Sequence, residues 1–257
     1  DVYKRQFGDH TLDLLVGAES TKNNFKGHQA LRTNYLFESP SFYLLSNGSG
    51  VPVISYANQS ANSISSLFST ANWSYGGKYF ATATVRKDDT SRFAQATADA
   101  IFPSGSLAWL MSNEDWFDSS VFDTLKIRAS YGELGNQEIG ISNADINISN
   151  INEFTGAYAF GGSGGATAGA VIASKGNPLL TWETMTSKNF AIDAGFFDNK
   201  MTMTLDVFEN VTDGLVAQDT QKISTTAIDA SAPYTNLGSM KSSGFDLSIN
   251  YTDVTSN

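Results

Sequence analysis

The residues able to do chemistry in this 257-residue chain are few, and their spacing suits no catalytic constellation. Without a cysteine there is no thiol nucleophile, no thiolate metal site and no disulfide framework. The two histidines, His10 and His28, are too far apart for the i, i+4 pair that holds a metal on a helix, and each reads as structural or solvent-facing. No nucleophile elbow or phosphate loop occurs. The acidic pairs Asp88-Asp89 and Glu114-Asp115 fall in turn-like stretches, where solvation explains them better than paired-carboxylate catalysis does. The Asn-x-Ser/Thr triplets at Asn47, Asn58, Asn72, Asn147 and Asn210 are the chance yield of an Asn- and Ser-rich chain. The expectation is a protein that is no enzyme and carries neither cofactor nor metal.

The remaining functional candidates are charges embedded in alternating segments. Tyr79, Ala81, Ala83 and Val85 point one way while Thr82, Thr84, Arg86 and Asp88 point the other. Likewise Leu125, Ile127, Ala129 and Tyr131 oppose Lys126, Arg128, Ser130 and Gly132. Phe190, Ile192, Ala194 and Phe196 oppose Asn189 and Asp193; Met201, Met203, Leu205 and Val207 oppose Thr202, Thr204 and Asp206; Phe245, Leu247, Ile249 and Tyr251 oppose Asp246, Ser248 and Asn250. Each segment has one oily face and one hydrogen-bonding face over about ten residues, the length of a tilted strand that crosses a bilayer. On that reading Arg86, Asp88, Lys126 and Arg128 face an enclosed lumen, because a charge at mid-membrane is costly against lipid and tolerable inside. Their simplest role there is packing through salt bridges.

Composition agrees. The chain has 22 Gly, 17 Phe, 10 Tyr and 4 Trp beside 5 Pro, and 16% charged residues, a profile of strands and turns. A formal net charge of −10 argues against a nucleic-acid partner. No apolar run is long enough for a transmembrane helix, which leaves a barrel open. The first residues have no apolar core or cleavage site of a signal peptide, and residues 1–6 read as a non-native remnant ahead of a domain at 7–257.

Eight strands are expected at 9–20, 64–75, 79–88, 101–111, 124–134, 182–196, 201–211 and 241–251, with a ninth in 21–63 or 212–240, or absent. Tight links at Gly76-Gly77-Lys78 and Phe197 to Lys200, and a medium one at 112–123, alternate with long links near 21–63, 89–100, 135–181 and 212–240. Outer-membrane barrels have this asymmetry, with short periplasmic turns and long extracellular loops, whereas long links on one side only are foreign to compact sandwiches. Trp73, Tyr75, Tyr79, Phe80, Phe196 and Phe197 gather beside the short turns, as an aromatic girdle or as ordinary turn-flanking core. Residues 156–170 are Gly- and Ala-rich and read first as flexible loop; Tyr158 and Phe160 are their only large side chains and could stack on cargo.

Several of these segments resemble the SusC/RagA family of TonB-linked outer-membrane transporters. They are "SLFSTANWSYGGKYFATATVRKDDTSRF" (66–93), "FPSGSLAW" (102–109), "LKIRASYGELGNQEIG" (125–140), "NPLLTWET" (177–184), "GFFDNKMTMTLDVFENVTDGLV" (195–216) and "NLGSMKSSGFDLSINY" (236–251), in the family's order. Asp89, Asn210-Val211 and Ser242-Ser243 depart from its usual residues at strand ends and loops. The resemblance implies an all-β, antiparallel, up-and-down transmembrane β-barrel segment, about 8–9 strands of an expected 22-stranded barrel, with a plug and the remaining strands outside this chain. It also implies outer-membrane localisation and active import of oligosaccharide or peptide cargo. The partners it implies are a SusD-like lipoprotein lid, TonB acting through a missing amino-terminal region, and outer-membrane lipid. The alternative from another class is an extracellular β-rich binding or adhesion module.

Overall fold

A computed structural model describes residues 2–51, 53–138, 147–151, 169–174, 176–219 and 232–252. Nine strands form one antiparallel sheet in simple sequential order: β1 (Val2–Phe7), β2 (His10–Leu31), β3 (Val53–Tyr75), β4 (Tyr79–Thr90), β5 (Asp99–Leu110), β6 (Thr124–Asn136), β9 (Glu183–Phe196), β10 (Met201–Gln218) and β11 (Tyr234–Tyr251). A separate hairpin, β7 (Asn147–Ile151) and β8 (Gly169–Ser174), interrupts the link between β6 and β9. Strands β1 and β11 are the two edges, each with one neighbour among the described residues. Residues 20–64, the outer parts of β2 and β3 with the link between them, form a compact unit of their own. Within it a bridge joins Tyr35 to Gly48, and Arg32 Nε donates to the Gly48 carbonyl at 2.8 Å.

The eight expected strands are all present, and two expectations need correction. Among the described residues the ninth strand of the sheet is β1, paired Val2↔Leu15 through Phe7↔His10, and not a strand of 21–63 or 212–240. Tyr3 and Phe7 share a face with Leu14 and His10, but Arg5 sits on that same face opposite Leu12 and spoils the alternation. The long links are also shorter than expected. β2 runs on to Leu31, β3 starts at Val53, β10 reaches Gln218 and β11 begins at Tyr234. Backbone pairing continues here although the residues no longer alternate, and in β10 the register slips at a bulge around Gly214 (φ +72°).

The register carries the binary pattern from strand to strand. Leu205 lies opposite Ile192 on one side and Leu247 on the other, and Val207 lies opposite Phe190 and Phe245. The apolar partners therefore form an unbroken band. This band is not covered: Phe245 is 72% exposed, Leu247 55% and Ile249 58%, and Met201, Met203, Leu205 and Val207 are none of them buried. Charges end the band on its outer side, where Lys188, Glu209 and Lys241 form one ion-paired group and Lys87 pairs with Asp99. From Leu205 to Glu209 is four residues, about 13 Å at the usual rise per residue.

The short turns hold the other end. Gly76 and Gly77 both take left-handed φ values (57° and 65°), which the two-glycine link allows without a side-chain penalty. At 197–200 the same conformation falls on Phe197, Asp198 and Asn199, and Asp123 accepts the Asn199 N–H at 3.1 Å.

Candidate functional site

The four charges singled out in the sequence all lie on the polar face, but in two groups. Arg86 and Phe102 face each other across β4 and β5, as Arg128 and Ala108 do across β6 and β5. Positions 102 and 108 are six residues apart on β5, about 20 Å along the strand.

In the outer group Arg86 Nε donates to Asp88 at 2.7 Å and its Nη2 to Ser66 Oγ at 2.7 Å, with Glu19 at 3.5 Å. The guanidinium also stands 5.7 Å over the Phe68 ring. Phe68 in turn packs against Gly17, where a Cβ would come within 2.4 Å of the ring. Strands β2, β3 and β4 thus converge on one cation. Asp88 is buried, which is tolerable because its carboxylate is paired.

In the inner group Arg128 makes a two-pronged pair with Asp193, Nε at 2.7 Å and Nη2 at 3.0 Å, and Thr204 Oγ1 donates to the same carboxylate at 3.0 Å. Lys126 is the register partner of Asp193, with its ammonium 5.9 Å from the Phe80 ring centre. Asp206 accepts a hydrogen bond from Asn189 and lies directly opposite Asp246 on the same face, an acidic pair that the cross-strand geometry would otherwise avoid. Arg128 is held by a carboxylate of the neighbouring strand β9, whereas Arg86 is held by Asp88 of its own strand and reaches Ser66 of β3 and Glu19 of β2, so both groups tie strands together.

Sequence reasoning missed the strap at 177–182, which links the outer strand ends. Leu180 (0% exposed) and Trp182 (5%) are buried with Phe93, Ala98 and Phe102. The Trp182 ring meets Phe93 and Phe102 edge-on, and its Nε1 donates to the Ala98 carbonyl at 3.0 Å. One amide, Asn236, accepts the Thr181 N–H at 3.0 Å and donates to the carbonyls of Thr181 (2.9 Å) and Gly214 (2.7 Å). Asn177 donates to the Tyr234 carbonyl at 2.7 Å, and Glu183 accepts the Val216 N–H at 2.9 Å. The available signal was a Leu-Leu-Thr-Trp run just ahead of an alternating strand, too apolar for a solvated loop.

At the short-turn end the aromatics form a ladder of rings running Phe7, His10, Tyr75, Tyr79 and Trp109, with neighbouring centres 4.4–6.3 Å apart. His10 is a structural member of it, its Nδ1 accepting from Trp73 Nε1 at 3.2 Å. Below the ladder Glu114 accepts from the Tyr79 hydroxyl, from Trp109 Nε1 at 3.0 Å and from Lys78 at 3.2 Å. These donors, the Tyr79 hydroxyl foremost, hold the Glu114 carboxyl below the usual carboxylate range. The hydrogen bond to Glu114 in turn raises the Lys78 ammonium above its ordinary value. Among the described residues no group of three or more His, Asp or Glu side chains is gathered for a metal. Tyr158 and Phe160 lie outside the described residues.

A family model described as "TonB dependent receptor-like, beta-barrel" matches residues 2–256, and the chain belongs to that family of outer-membrane proteins. Among curated relatives, TonB-dependent receptor P3 of Formosa agariphila is 30% identical over 256 residues, 98% of this chain and 24% of the relative. TonB-dependent receptor SusC of Bacteroides thetaiotaomicron is 29% identical over 96% of this chain and 24% of its own length. The solved structure of the RagAB peptide transporter superposes with a TM-score of 0.78 at 27% identity, over 98% of this chain and 27% of that one. The chain is thus SusC/RagA-like TonB-dependent receptor barrel and spans about a quarter of the length of the relatives it matches. Transmembrane barrels in general turn an apolar side of each strand to lipid and a polar side to the lumen.

Proposed function

We propose that this chain is wall and loop of an active importer that carries nutrients, oligosaccharides or peptides, across the outer membrane under a SusD-like surface lipoprotein, with TonB acting through a part of the protein outside this chain. The observation that carries the reading is the division of faces from β4 to β11, with Arg86 and Arg128 held by Asp88 and Asp193 on the side away from the apolar band. A transport wall needs a wet interior that keeps its shape, and paired charges on the polar face that also reach across strands, Arg128 to Asp193 and Arg86 to Ser66 and Glu19, support both properties.

Within that reading Arg86, Asp88, Lys126 and Arg128 brace the lumen and set its charge, while Tyr158 and Phe160 are the loop side chains offered to cargo. The names of two relatives support import: the RagAB assembly is a peptide transporter, and SusC is a TonB-dependent receptor. The test deletes the full-length gene, or its SusD-like neighbour, and follows uptake of labelled peptides and oligosaccharides by intact cells. Loss of uptake of one cargo class in both deletions, restored by the intact gene, is the expected result. Unchanged uptake of both classes together with lost surface attachment would replace the importer by an adhesion module.

A further inference from the structure

The apolar face is recessed beside the aromatic ladder. One hollow of about 350 Å³ is walled by Trp73, Tyr79, Leu107, Trp109, Ile127 and Ala129. A second, of about 390 Å³, continues past Gly105 to Tyr131 and shares Leu107 and Ala129 with the first. They form one trough because the residues of its floor are small: register pairs Leu107 with Ala129, and Gly105 with Ala83 and Tyr131. At roughly 30 Å³ for a group the size of water or methylene, the first hollow alone takes on the order of ten methylenes. The trough opens on the face that this family turns toward hydrocarbon.

Its lower end is polar and acidic. Tyr79 and Trp109, which wall the trough, both donate to Glu114, and Trp116 leans on Trp109 at 6.2 Å. One ammonium, Lys78, is set against two carboxylates, Glu114 and Asp115. The Asp115 side chain is 98% exposed and meets Lys78 at 3.4 Å. An apolar slot under Trp and Tyr rings with surplus negative charge at the headgroup level matches an amphiphile whose head carries an amine.

We propose that this trough is a binding site for one phosphatidylethanolamine molecule of the periplasmic leaflet, its acyl chain lying along Leu107 and Ala129 and its ammonium facing Asp115. The inference rests on the barrel assignment and is independent of which cargo is imported.

The experiment uses the full-length protein, reconstituted in nanodiscs of equal phosphatidylethanolamine and phosphatidylcholine, and counts the lipids retained on gentle release by native mass spectrometry. Wild type is expected to retain one phosphatidylethanolamine in several-fold excess over phosphatidylcholine. Ala129→Phe, which fills the floor from the lipid side, should abolish the retained lipid, and Asp115→Lys should remove the preference for the amine headgroup without emptying the slot. Retention in the one-to-one ratio of the surrounding bilayer, or an unchanged count in Ala129→Phe that still migrates as a folded barrel, overturns the proposal. The wild-type ratio decides the matter even if the Phe variant fails to fold. Cargo uptake is not read, so failure of the importer reading would leave this result standing.

Discussion

Leu205 and Thr204 are adjacent in β10 and face opposite sides of the sheet, so the same cation placed at each separates the two faces with one residue of displacement. Leu205 stands between Ile192 and Leu247 in the middle of the apolar band, four residues below Glu209, where charges begin. An arginine there meets hydrocarbon, and near the membrane midplane that costs about 2–4 kcal/mol. At 1.4 kcal/mol per factor of ten, the folding equilibrium falls about 30- to 700-fold. Thr204 stands beside Asp193, and the adjacent polar position, Asp206, faces Asp246. An arginine at 204 loses one hydrogen bond to Asp193, worth about 1 kcal/mol, and gains acidic neighbours, so its net cost should stay within about 1 kcal/mol. The assay is reversible folding of the full-length barrel into bilayers, followed by tryptophan fluorescence over a denaturant series. Equal destabilisation by Leu205→Arg and Thr204→Arg, or a Leu205→Arg cost under about 0.5 kcal/mol, would refute the assignment of faces.

Four further outcomes follow from the same structure. A double-mutant cycle on Arg128→Ala and Asp193→Ala should return a coupling of about 1 kcal/mol, since the pair is two-pronged but more than a quarter exposed at each partner. Glu114 contributes stability that is present above the ordinary carboxylate pKa and lost as pH falls through its depressed folded value; Glu114→Gln should flatten the acid limb of the stability profile measured by thermal melting. Trp182→Ala should cost about 3–5 kcal/mol locally, and amide exchange should rise at Val216 and along 234–236 while β4 near Tyr79 stays protected. Gly76→Val should cost about 1–2 kcal/mol through its left-handed backbone alone, as no atom stands within 4 Å of the new Cβ, whereas Gly17→Val acts by displacing Phe68, with a weakened Arg86 network visible in the same melts.

Alternation was legible wherever one face meets an apolar medium and the other a polar one, because the side-chain period of two then writes itself into the residues. Hence the strands around Tyr79–Val85, Leu125–Tyr131 and Met201–Val207, their glycine and four-residue turns, and the polar setting of Arg86, Asp88, Lys126 and Arg128 all follow from residue order. The outer parts of β2, β3, β10 and β11 could not be read that way. Past the charged limit of the band, at Glu209 and Lys241, no oily medium selects a face, and only backbone hydrogen bonds continue the strand.

What residue order determined is the class of wall: which side of each strand is greasy, where it turns, and that the chain builds a sheet with two environments. What only the tertiary structure decided is who meets whom. Asp193 rather than Asp88 neutralises Arg128 because β9, whose Asp193 is 65 residues downstream of Arg128, lies beside β6 in register. Trp182 becomes buried because the 91–98 link folds over it, and Asn236 closes the strap because a bulge at Gly214 turns a carbonyl toward it. Such pairings depend on register between distant segments, and a single chain's local pattern carries no record of register beyond its own hairpins.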